Sequence, residues 1–328
     1  MVKIGTLELP EFPLLLAPME DVSDPPYRKL CKMHGADMMY SEFISSEGLI
    51  RDAIKSIKKL DIFDYERPVG IQIFGGDEEA MALSSKIVQT VNPDIVDINF
   101  GCPVKKVVCK GAGAGVLKDI DLMVRLTKAV VNSTHLPVTV KTRLGWDESS
   151  INIDEVAERL QDVGIKALTI HARTRSQMYK GHSDWSHIAR VKNNPKIHIP
   201  IFGNGDIDSP EKALEYKNKF GIDGIMIGRA AIGYPWIFNE IKHYFKTGEK
   251  IAPPTLHQRL EAVKNHAIWS VEWKGEKGGI VEMRQHYTNY FRGIAGFKPL
   301  KTKFLEANTL VELEEVISQA QNFVFERD

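Results

Sequence analysis

Short apolar runs rich in Val, Ile and Leu alternate along the first 230 or so residues with stretches of helical character. The runs occupy residues 14–19, 36–43, 68–74, 95–100, 137–144, 167–173, 199–204 and 224–229. Their spacing of roughly 25 to 30 residues leaves room for one helix and two loops per repeat, which is the βα unit of a parallel sheet. Several runs are apolar on both faces, as buried parallel strands are. Eight such units predict a (β/α)8 TIM barrel.

A doubly wound α/β sheet is the alternative fold, but it requires a glycine fingerprint after the first strand, and the sequence there is APMEDVSD. Pro253 and Pro254 mark the end of the alternating region. Beyond them the pattern predicts helices at 256–273, 279–294 and 310–325, with Pro299 in the last connection. We therefore expect a barrel domain at residues 1–249 and a C-terminal helical domain at residues 250–328.

Composition narrows the class of protein. The chain of 328 residues is 43% hydrophobic and 26% charged, and its 43 basic residues balance 43 acidic ones. This balance argues against a histone-like nucleic-acid binder. No apolar run approaches the ~18 residues that span a bilayer, and the N-terminus lacks the layout of a signal peptide. Three sparse cysteines exclude a disulfide framework and a zinc-type pair, so we expect a cytoplasmic protein that binds no metal.

Polar residues follow the predicted strands, where the active sites of barrels lie. Lys141 and Arg143 alternate on the fifth strand and should face the barrel mouth together, which suits an anionic ligand or an electron-rich ring. Gln72 is a lone amide in an apolar strand and needs partners, either a conjugated heterocycle or a neighbouring backbone. His171 ends the sixth strand; a satisfied core histidine is the alternative, but Arg173 two residues later favours a site.

Two glycine motifs follow strands seven and eight, at the corner where barrels bind phosphate. Residues 203–206 read Gly-Asn-Gly-Asp, and Gly228 precedes Arg229. The glycines permit close backbone approach, and Arg229 offers a guanidinium for bidentate phosphate binding. The structural alternative is that the glycines serve only as tight turns and that Arg229 forms a surface ion pair.

Cys102 differs from the other two cysteines in its setting. It follows Asn99-Phe100-Gly101 and precedes Pro103, so a rigid loop places its thiol over the barrel mouth. Cys31 lies in a predicted helix and is expected to be a small buried hydrophobe, and Cys109 lies in a lysine-rich loop. An unperturbed thiol is mostly protonated at neutral pH, so Cys102 can serve as a general acid or as a nucleophile.

Taken in order, these motifs resemble those of the tRNA-dihydrouridine synthases, with the bacterial B-type branch most similar. The resemblance covers nearly the whole chain. It implies an FMN-dependent oxidoreductase that takes electrons from NADPH and reduces the C5=C6 bond of uridines in the tRNA D-loop. It implies Cys102 as the proton donor. The residues implied to hold FMN are Pro18, Met19, Glu20, Gln72, Lys141, His171, Asn204, Gly205, Asp206, Gly228 and Arg229.

A uridine in folded tRNA must be flipped out to reach the barrel mouth. We expect Asn99, Arg143 and Arg173 to bind the uracil edge or a neighbouring phosphate, together with His171, and Tyr179 to act as a lid or stacking residue. The alternatives are a small-pyrimidine flavin oxidoreductase of the dihydroorotate dehydrogenase type and a tRNA-binding folding assistant. We expect a monomer whose partners are tRNA and NAD(P)H, with no membrane association.

The neutral total charge conceals a basic segment. Residues 250–303 carry ten Lys and Arg against four Asp and Glu, whereas residues 304–328 carry one Arg against six acids. The basic segment suits phosphate contacts whose strength falls with salt, although solvated helix faces account for part of it. Its members include Lys264, Lys274, Lys277, Arg284, Arg292, Lys298, Lys301 and Lys303.

Overall fold

Strands and helices alternate through the first 247 residues of the computed structural model, which describes residues 1–325. The strands are β1 Val2–Ile4, β2 Leu7–Leu9, β3 Leu14–Leu16, β4 Met39–Tyr40, β5 Ile44–Ser45, β6 Val69–Phe74, β7 Ile95–Phe100, β8 Val138–Arg143, β9 Ala167–His171, β10 Ile201–Asn204 and β11 Gly224–Ile227. The helices of this region are α1 Pro25–Met33, α2 Ser46–Leu49, α3 Ile54–Lys58, α4 Glu78–Thr90, α5 Lys105–Val108, α6 Ile120–Val131, α7 Ile153–Val163, α8 Ser186–Lys192, α9 Pro210–Phe220 and α10 Ile237–Thr247.

Parallel pairing joins the strands in the order β3-β11-β10-β9-β8-β7-β6-β4. A parallel bridge between Leu15 and Met38 connects the two ends of this order, with the N–H of Leu16 donating to Met38 O at 3.0 Å. The predicted (β/α)8 barrel is therefore confirmed. The second predicted strand, at residues 36–43, is wrong in extent. The strand there is limited to β4, and β5 pairs separately with β6.

An antiparallel hairpin of β1 and β2 covers one end of the barrel, and the sequence analysis missed it. Val2, Ile4 and Leu9 are buried and share a core cluster with inward-facing strand residues. The sequence signal for a hairpin here was the alternation of apolar and polar residues on both sides of Gly5, which has a φ of 61°. The inward-facing residues that the hairpin joins are Leu15, Ala17, Met38, Tyr40, Ile95, Ala167, Phe202 and Met226.

Four further helices follow: α11 Leu256–Lys274, α12 Glu276–Tyr290, α13 Lys298–Glu306 and α14 Leu310–Phe325. The prediction of a connection at Pro299 was wrong, because Pro299 lies in the first turn of α13. Proline fits that position, since the N–H it lacks has no partner within the helix. No helix within residues 1–325 has both the length and the apolar character needed to cross a membrane.

The C-terminal helices pack on the barrel through α1, and the two parts share one apolar core. The ring of Tyr27 lies 4.7 Å from that of His286 and 5.2 Å from that of His266, measured between centroids. Lys274 Nζ lies 2.8 Å from a carboxylate oxygen of Asp24, the residue that caps α1. Apolar packing supplemented by an ion pair therefore fixes how the helices sit against the barrel.

Candidate functional site

Polar side chains fill the end of the barrel opposite the hairpin. Gln72, Asn99, Lys141, His171 and Asn204 lie at the carboxyl ends of five neighbouring strands, and only Lys141 among them is more than 8% exposed. Alternate residues of a strand face the same side of the sheet, which aims these side chains at the barrel mouth. The structure thus brings together five of the residues expected to hold a cofactor or substrate.

Gln72 has partners that the sequence analysis did not consider. Its amide nitrogen donates to Asp97 Oδ2 at 2.5 Å, and its amide oxygen accepts from Asn99 Nδ2 at 2.7 Å. The hydroxyl of Thr139 donates to the other oxygen of Asp97. Two side chains, rather than backbone, therefore satisfy Gln72. Burial raises the pKa of Asp97 to about 6, against the opposing effect of its hydrogen bonds.

Lys141 reaches across the mouth toward β10. Its ammonium group lies 3.3 Å from Asn204 Oδ1, and the amide nitrogen of Asn204 donates to Met226 O at 2.8 Å. Burial, followed by repulsion from Arg143, lowers the pKa of Lys141 to about 8. An ammonium group in such surroundings is underpaired, and a bound anion would stabilise it.

His171 lies among cations. Burial lowers its pKa well below the ordinary value, and the positive charges of Arg143, Lys141, Arg173 and Arg229 lower it further. The imidazole is therefore neutral at pH 7 and presents one N–H donor and one acceptor. The concentration of positive charge around it suits a ligand that carries negative charge.

Asp206 forms ion pairs with two of those arginines. Arg173 Nη2 lies 2.6 Å from one carboxylate oxygen and Arg229 Nη2 lies 2.9 Å from the other. Although partial burial opposes ionisation, hydrogen bonds from Arg173 and Ser183 lower the pKa of Asp206 to about 2. Arg229 thus forms the ion pair named as its structural alternative, and it remains 52% exposed. Arg173 Nη1 is buried without a hydrogen-bond partner among the described residues.

The glycines of the β10 motif are required by close packing. A Cβ on Gly203 would lie 1.9 Å from Cζ3 of the buried Trp185, and one on Gly205, where φ is 131°, would lie 3.0 Å from Ser183 Cβ. Trp185 Nε1 donates to Gly205 O at 3.0 Å. The indole therefore holds the loop that carries Asn204 and Asp206 in place.

The ends of β3 and β11 lie side by side, which brings the remaining predicted cofactor residues together. Pro18 and Met19 follow β3, and a Cβ on Gly228 would lie 3.6 Å from Met19 Sδ. Glu20 lines the cleft described below and pairs with Lys59, whose Nζ lies 2.6 Å from it and 3.4 Å from Glu42. Together with Asp21, these two glutamates bring their oxygens within 4.8 Å of one another.

Arg143 ties two loops of the mouth together. Its Nε donates to Gly101 O at 2.7 Å, and its Nη1 donates to the carbonyls of Thr174 and Met178, both at 2.9 Å. Its Nη2 donates to no acceptor in the described part of the chain. The ring of Tyr179, 52% exposed, lies 5.6 Å from the Arg143 guanidinium carbon and 5.1 Å from that of Arg229.

Cys102 lies on the loop that Arg143 supports. Asn99 Oδ1 accepts from the backbone N–H of Gly101 at 2.9 Å and from that of Cys102 at 2.8 Å. Burial raises the pKa of the Cys102 thiol, which is 6% exposed. The thiol therefore stays protonated at neutral pH. Cys31 is buried, as expected, and Cys109 is exposed.

A cleft of about 680 Å³ opens beside Cys102, between the barrel loops and the C-terminal helices. Phe43 and Phe74 line it from the barrel, and Trp273 lines it from α11. A cleft of this size is in the range of small-molecule sites and can receive a nucleoside. Its lysines are Lys55, Lys58, Lys59, Lys106, Lys110 and Lys274. Those of α3 and α5 were not singled out from the sequence.

A closed (β/α)8 barrel with a cationic polar mouth defines the class of TIM-barrel enzymes. Solved structures agree on this fold. Morphinone reductase superposes with a TM-score of 0.55 at 13% identity, over 77% of this chain and 90% of its own. 2-Naphthoyl-CoA reductase superposes with a TM-score of 0.59 at 13% identity, over 74% of this chain and 51% of its own. The profile of the family "Dihydrouridine synthase (Dus)" matches residues 15–325. The chain belongs to the dihydrouridine synthase family.

Full-length relatives support this assignment. The "tRNA-dihydrouridine synthase B" of Pseudomonas aeruginosa is 37% identical over 100% of this chain and 97% of its own length. The "Probable tRNA-dihydrouridine synthase" of Rickettsia conorii is 36% identical over 99% and 98%. The family predicted from the motifs is confirmed, and relatives of the B type are among those it matches.

Proposed function

We propose that this protein is a tRNA-dihydrouridine synthase that reduces the C5=C6 bond of uridines in the tRNA D-loop, with FMN as cofactor and NADPH as electron donor. The observation that carries the proposal is the position of Cys102, a protonated thiol on the wall of a nucleoside-sized cleft beside a cationic barrel mouth. We further propose that the protein acts as a monomer in the cytoplasm.

The mouth fits FMN in charge and in hydrogen-bonding groups. Lys141 is partly buried, and within residues 1–325 its ammonium group has only an amide oxygen as hydrogen-bond partner. The buried Nη1 of Arg173 is a second unsatisfied donor among these residues. An anionic, electron-rich ligand would satisfy both. When bound, FMN supplies the hydride that C6 of the uracil accepts. The residues that would hold it are Pro18, Met19, Glu20, Gln72, Lys141, His171, Asn204, Gly205, Asp206, Gly228 and Arg229.

Cys102 holds the proton that C5 requires. Because burial raises its pKa, the thiol carries this proton at neutral pH and donates it when negative charge develops at C5. The nearby charges of Arg143 and Lys141 favour the thiolate that remains. Positioned general acids contribute about 10² to 10⁴ in rate.

Arg143, Arg173 and Tyr179 remain the proposed contacts of the flipped uridine. Most donors of Arg143 already bind backbone carbonyls, so Nη2 is the group left for the substrate. Asn99 is committed through both its oxygen and its nitrogen, and its contribution is to place Cys102. Tyr179 is exposed over two guanidinium groups, where a base can stack on its ring.

Residues 250–328 are proposed to form the tRNA-binding domain. Some of their cations are paired with acidic side chains, and others are not. Lys264 pairs with Glu314, and Lys274 pairs with Asp24. Three others line a concave pocket of about 340 Å³ where α12 meets α13, and none of them contacts a carboxylate within residues 1–325. They are Arg292, Lys298 and Lys301. Unpaired cations in a concave surface suit RNA phosphates.

Comparing Cys102→Ala with Cys109→Ala tests the proposal. We expect Cys102→Ala to lower dihydrouridine formation on unmodified tRNA by about 10² to 10⁴, the share of a general acid, while NADPH still bleaches the flavin. Cys109→Ala controls for loss of a thiol and should match the wild type. Equal product formation by the two variants would exclude Cys102 as proton donor. Absence of dihydrouridine from wild-type reactions would refute the proposed function and leave a role in tRNA binding.

A further inference from the structure

A buried carboxylate, Asp97, lies inside the barrel beneath the mouth and has no part in the mechanism above. The strand register places Asp97 on β7 level with Gln72 on β6 and with Thr139 on β8. Asp97 is 1% exposed, and both its oxygens accept hydrogen bonds from these two neighbours. A buried carboxylate is costly to desolvate, which calls for an explanation of its presence.

A chain of hydrogen bonds leads from Asp97 to the backbone of Cys102. Gln72 Nε2 donates to Asp97 at 2.5 Å, Asn99 Nδ2 donates to Gln72 Oε1 at 2.7 Å, and Asn99 Oδ1 accepts from the N–H of Cys102 at 2.8 Å. The same oxygen accepts from the N–H of Gly101 at 2.9 Å. Two side-chain amides are therefore the only links between the carboxylate and the cysteine loop along this path.

The two ends of this chain determine the direction of both amides. An ionised carboxylate only accepts, so Gln72 must turn its NH2 group toward Asp97 and its oxygen toward Asn99. Asn99 must then turn its NH2 group toward Gln72. Its oxygen is left facing the backbone N–H groups of Gly101 and Cys102, which can only donate. Every bond in the chain is satisfied in this direction alone.

Loss of the carboxylate would remove one of these two constraints and leave only the backbone N–H groups of Gly101 and Cys102 to set the direction of the amides. If the group at position 97 donated instead, Gln72 could turn over, and Asn99 would follow to keep its bond to Gln72. The NH2 group of Asn99 would then face the N–H groups of Gly101 and Cys102. Opposed donors cannot bond, and an unpaired buried donor costs about 1–3 kcal/mol. The cysteine loop would lose one of the contacts that hold it, while the bond from Arg143 to Gly101 O would remain.

We propose that Asp97 is a positioning residue, which holds the Cys102 loop through Gln72 and Asn99 by fixing the direction of both amide groups. Burial raises the pKa of Asp97 only to about 6, so the carboxyl group is still mainly ionised at pH 7.5. Its effect on turnover rests on the proposed function, whereas its effect on the position of Cys102 does not.

Cysteine alkylation provides a readout that is independent of catalysis. Asp97→Asn keeps the shape of the side chain but lets either of its ends face Gln72, and Thr139→Val removes the other partner of Asp97 while leaving the Gln72 contact. Iodoacetamide is added at pH 7.5 in the absence of tRNA, and modification at each cysteine is followed by mass spectrometry. The exposed Cys109 serves as the internal reference.

We expect Asp97→Asn to raise the alkylation rate of Cys102, relative to Cys109, by about three- to tenfold, the factor that the net free energy of one hydrogen bond supplies. Thr139→Val should leave this ratio unchanged. An unchanged ratio in Asp97→Asn, or an equal increase in both variants, would overturn the proposal, because the second result indicates general loosening of the barrel interior. If Asp97→Asn does not fold, Asp97→Ser removes the carboxylate with less steric demand.

Turnover completes the test. If the function is as proposed, Asp97→Asn should slow the reoxidation of reduced flavin by tRNA more than it slows the reduction of flavin by NADPH, because Cys102 acts in the former step. Failure of the wild type to form dihydrouridine would refute the proposed function alone, since the alkylation ratio would still decide whether Asp97 positions Cys102.

Discussion

Neutralising the pocket between α12 and α13 should weaken tRNA binding and also reduce its dependence on salt. The perturbation is the triple variant Arg292→Ala, Lys298→Ala, Lys301→Ala. These three cations line one concave surface and pair with no carboxylate in the part of the chain that the structure describes. Their removal therefore exposes no buried acid, and the fold should be preserved.

The magnitude follows from the number of phosphate contacts removed. Each contact contributes about 0.7 to 0.9 to the slope of log K against log salt concentration, so loss of three contacts should reduce the slope by about 2 to 3. Near 0.15 M salt the same relation predicts binding that is about two orders of magnitude weaker. If only one of the three side chains contacts phosphate, the slope should fall by about 1.

The assay is the affinity of unmodified tRNA for the flavin-loaded protein, measured by fluorescence anisotropy from 50 to 300 mM KCl. The matched control is Lys86→Ala, Lys128→Ala, Lys219→Ala, which removes the same charge from exposed positions on α4, α6 and α9. The control tests whether net charge alone accounts for binding. Equal slopes in the two triple variants would refute the assignment of a phosphate site to this pocket.

Two further predictions concern the barrel mouth. Because burial and the charge of Arg143 lower the pKa of Lys141 to about 8, the Kd of the flavin-free protein for FMN should rise as pH increases from 8 to 9.5. Fluorescence titration checks this, and a Lys141→Met protein that kept the same pH dependence would exclude Lys141 as its cause. Gly203→Ala should cost about 3 kcal/mol of unfolding free energy, since the added Cβ overlaps the ring of Trp185, and should also lower flavin retention. Urea unfolding and flavin absorbance measure both effects, and an unchanged midpoint with full flavin content would contradict the steric argument.

Strand positions could be predicted from the sequence because buried parallel strands are apolar on both faces. The ends of several strands were predicted correctly, as for 95–100, but others were wrong. The first predicted strand, 14–19, ends at Leu16 in the structure, and the eighth, 224–229, ends at Ile227. In both cases the residues beyond the last ladder pairing belong to the mouth. The pattern of apolar residues does not indicate where strand pairing stops and a loop begins.

The partners of polar residues were beyond the reach of the sequence for a related reason. Gln72 was recognised as a buried amide in need of partners, but Asp97 lies 25 residues away on the next strand. Only the register of β6 against β7 places them level, and register depends on the closed barrel as a whole. A lone aspartate in the apolar strand Ile95–Phe100 was the available signal.

The basic segment shows the same limit for charges. Counting residues revealed an excess of Lys and Arg in 250–303, yet the count gave equal weight to cations with very different surroundings. Lys274 is fixed by Asp24 and Glu282, and Arg284 Nη2 donates to Ala307 O and Asn308 Oδ1. Packing between helices decides which cations are left for a ligand, and that packing is not visible in one sequence.

The docking of the C-terminal helices makes them part of the wall of the cleft beside Cys102 as well as the proposed surface for RNA. Trp273 lines the cleft, its Nε1 donates to Asp61 on the barrel at 2.8 Å, and the adjacent Lys274 is held by Asp24. The ring cluster around Tyr27 and His286 sets the same interface from within. RNA held by these helices would therefore stand at a distance from Cys102 that this shared core and these contacts set. The geometry of the complex would then select which uridine of the tRNA is reduced, because only a base that reaches the cleft can react.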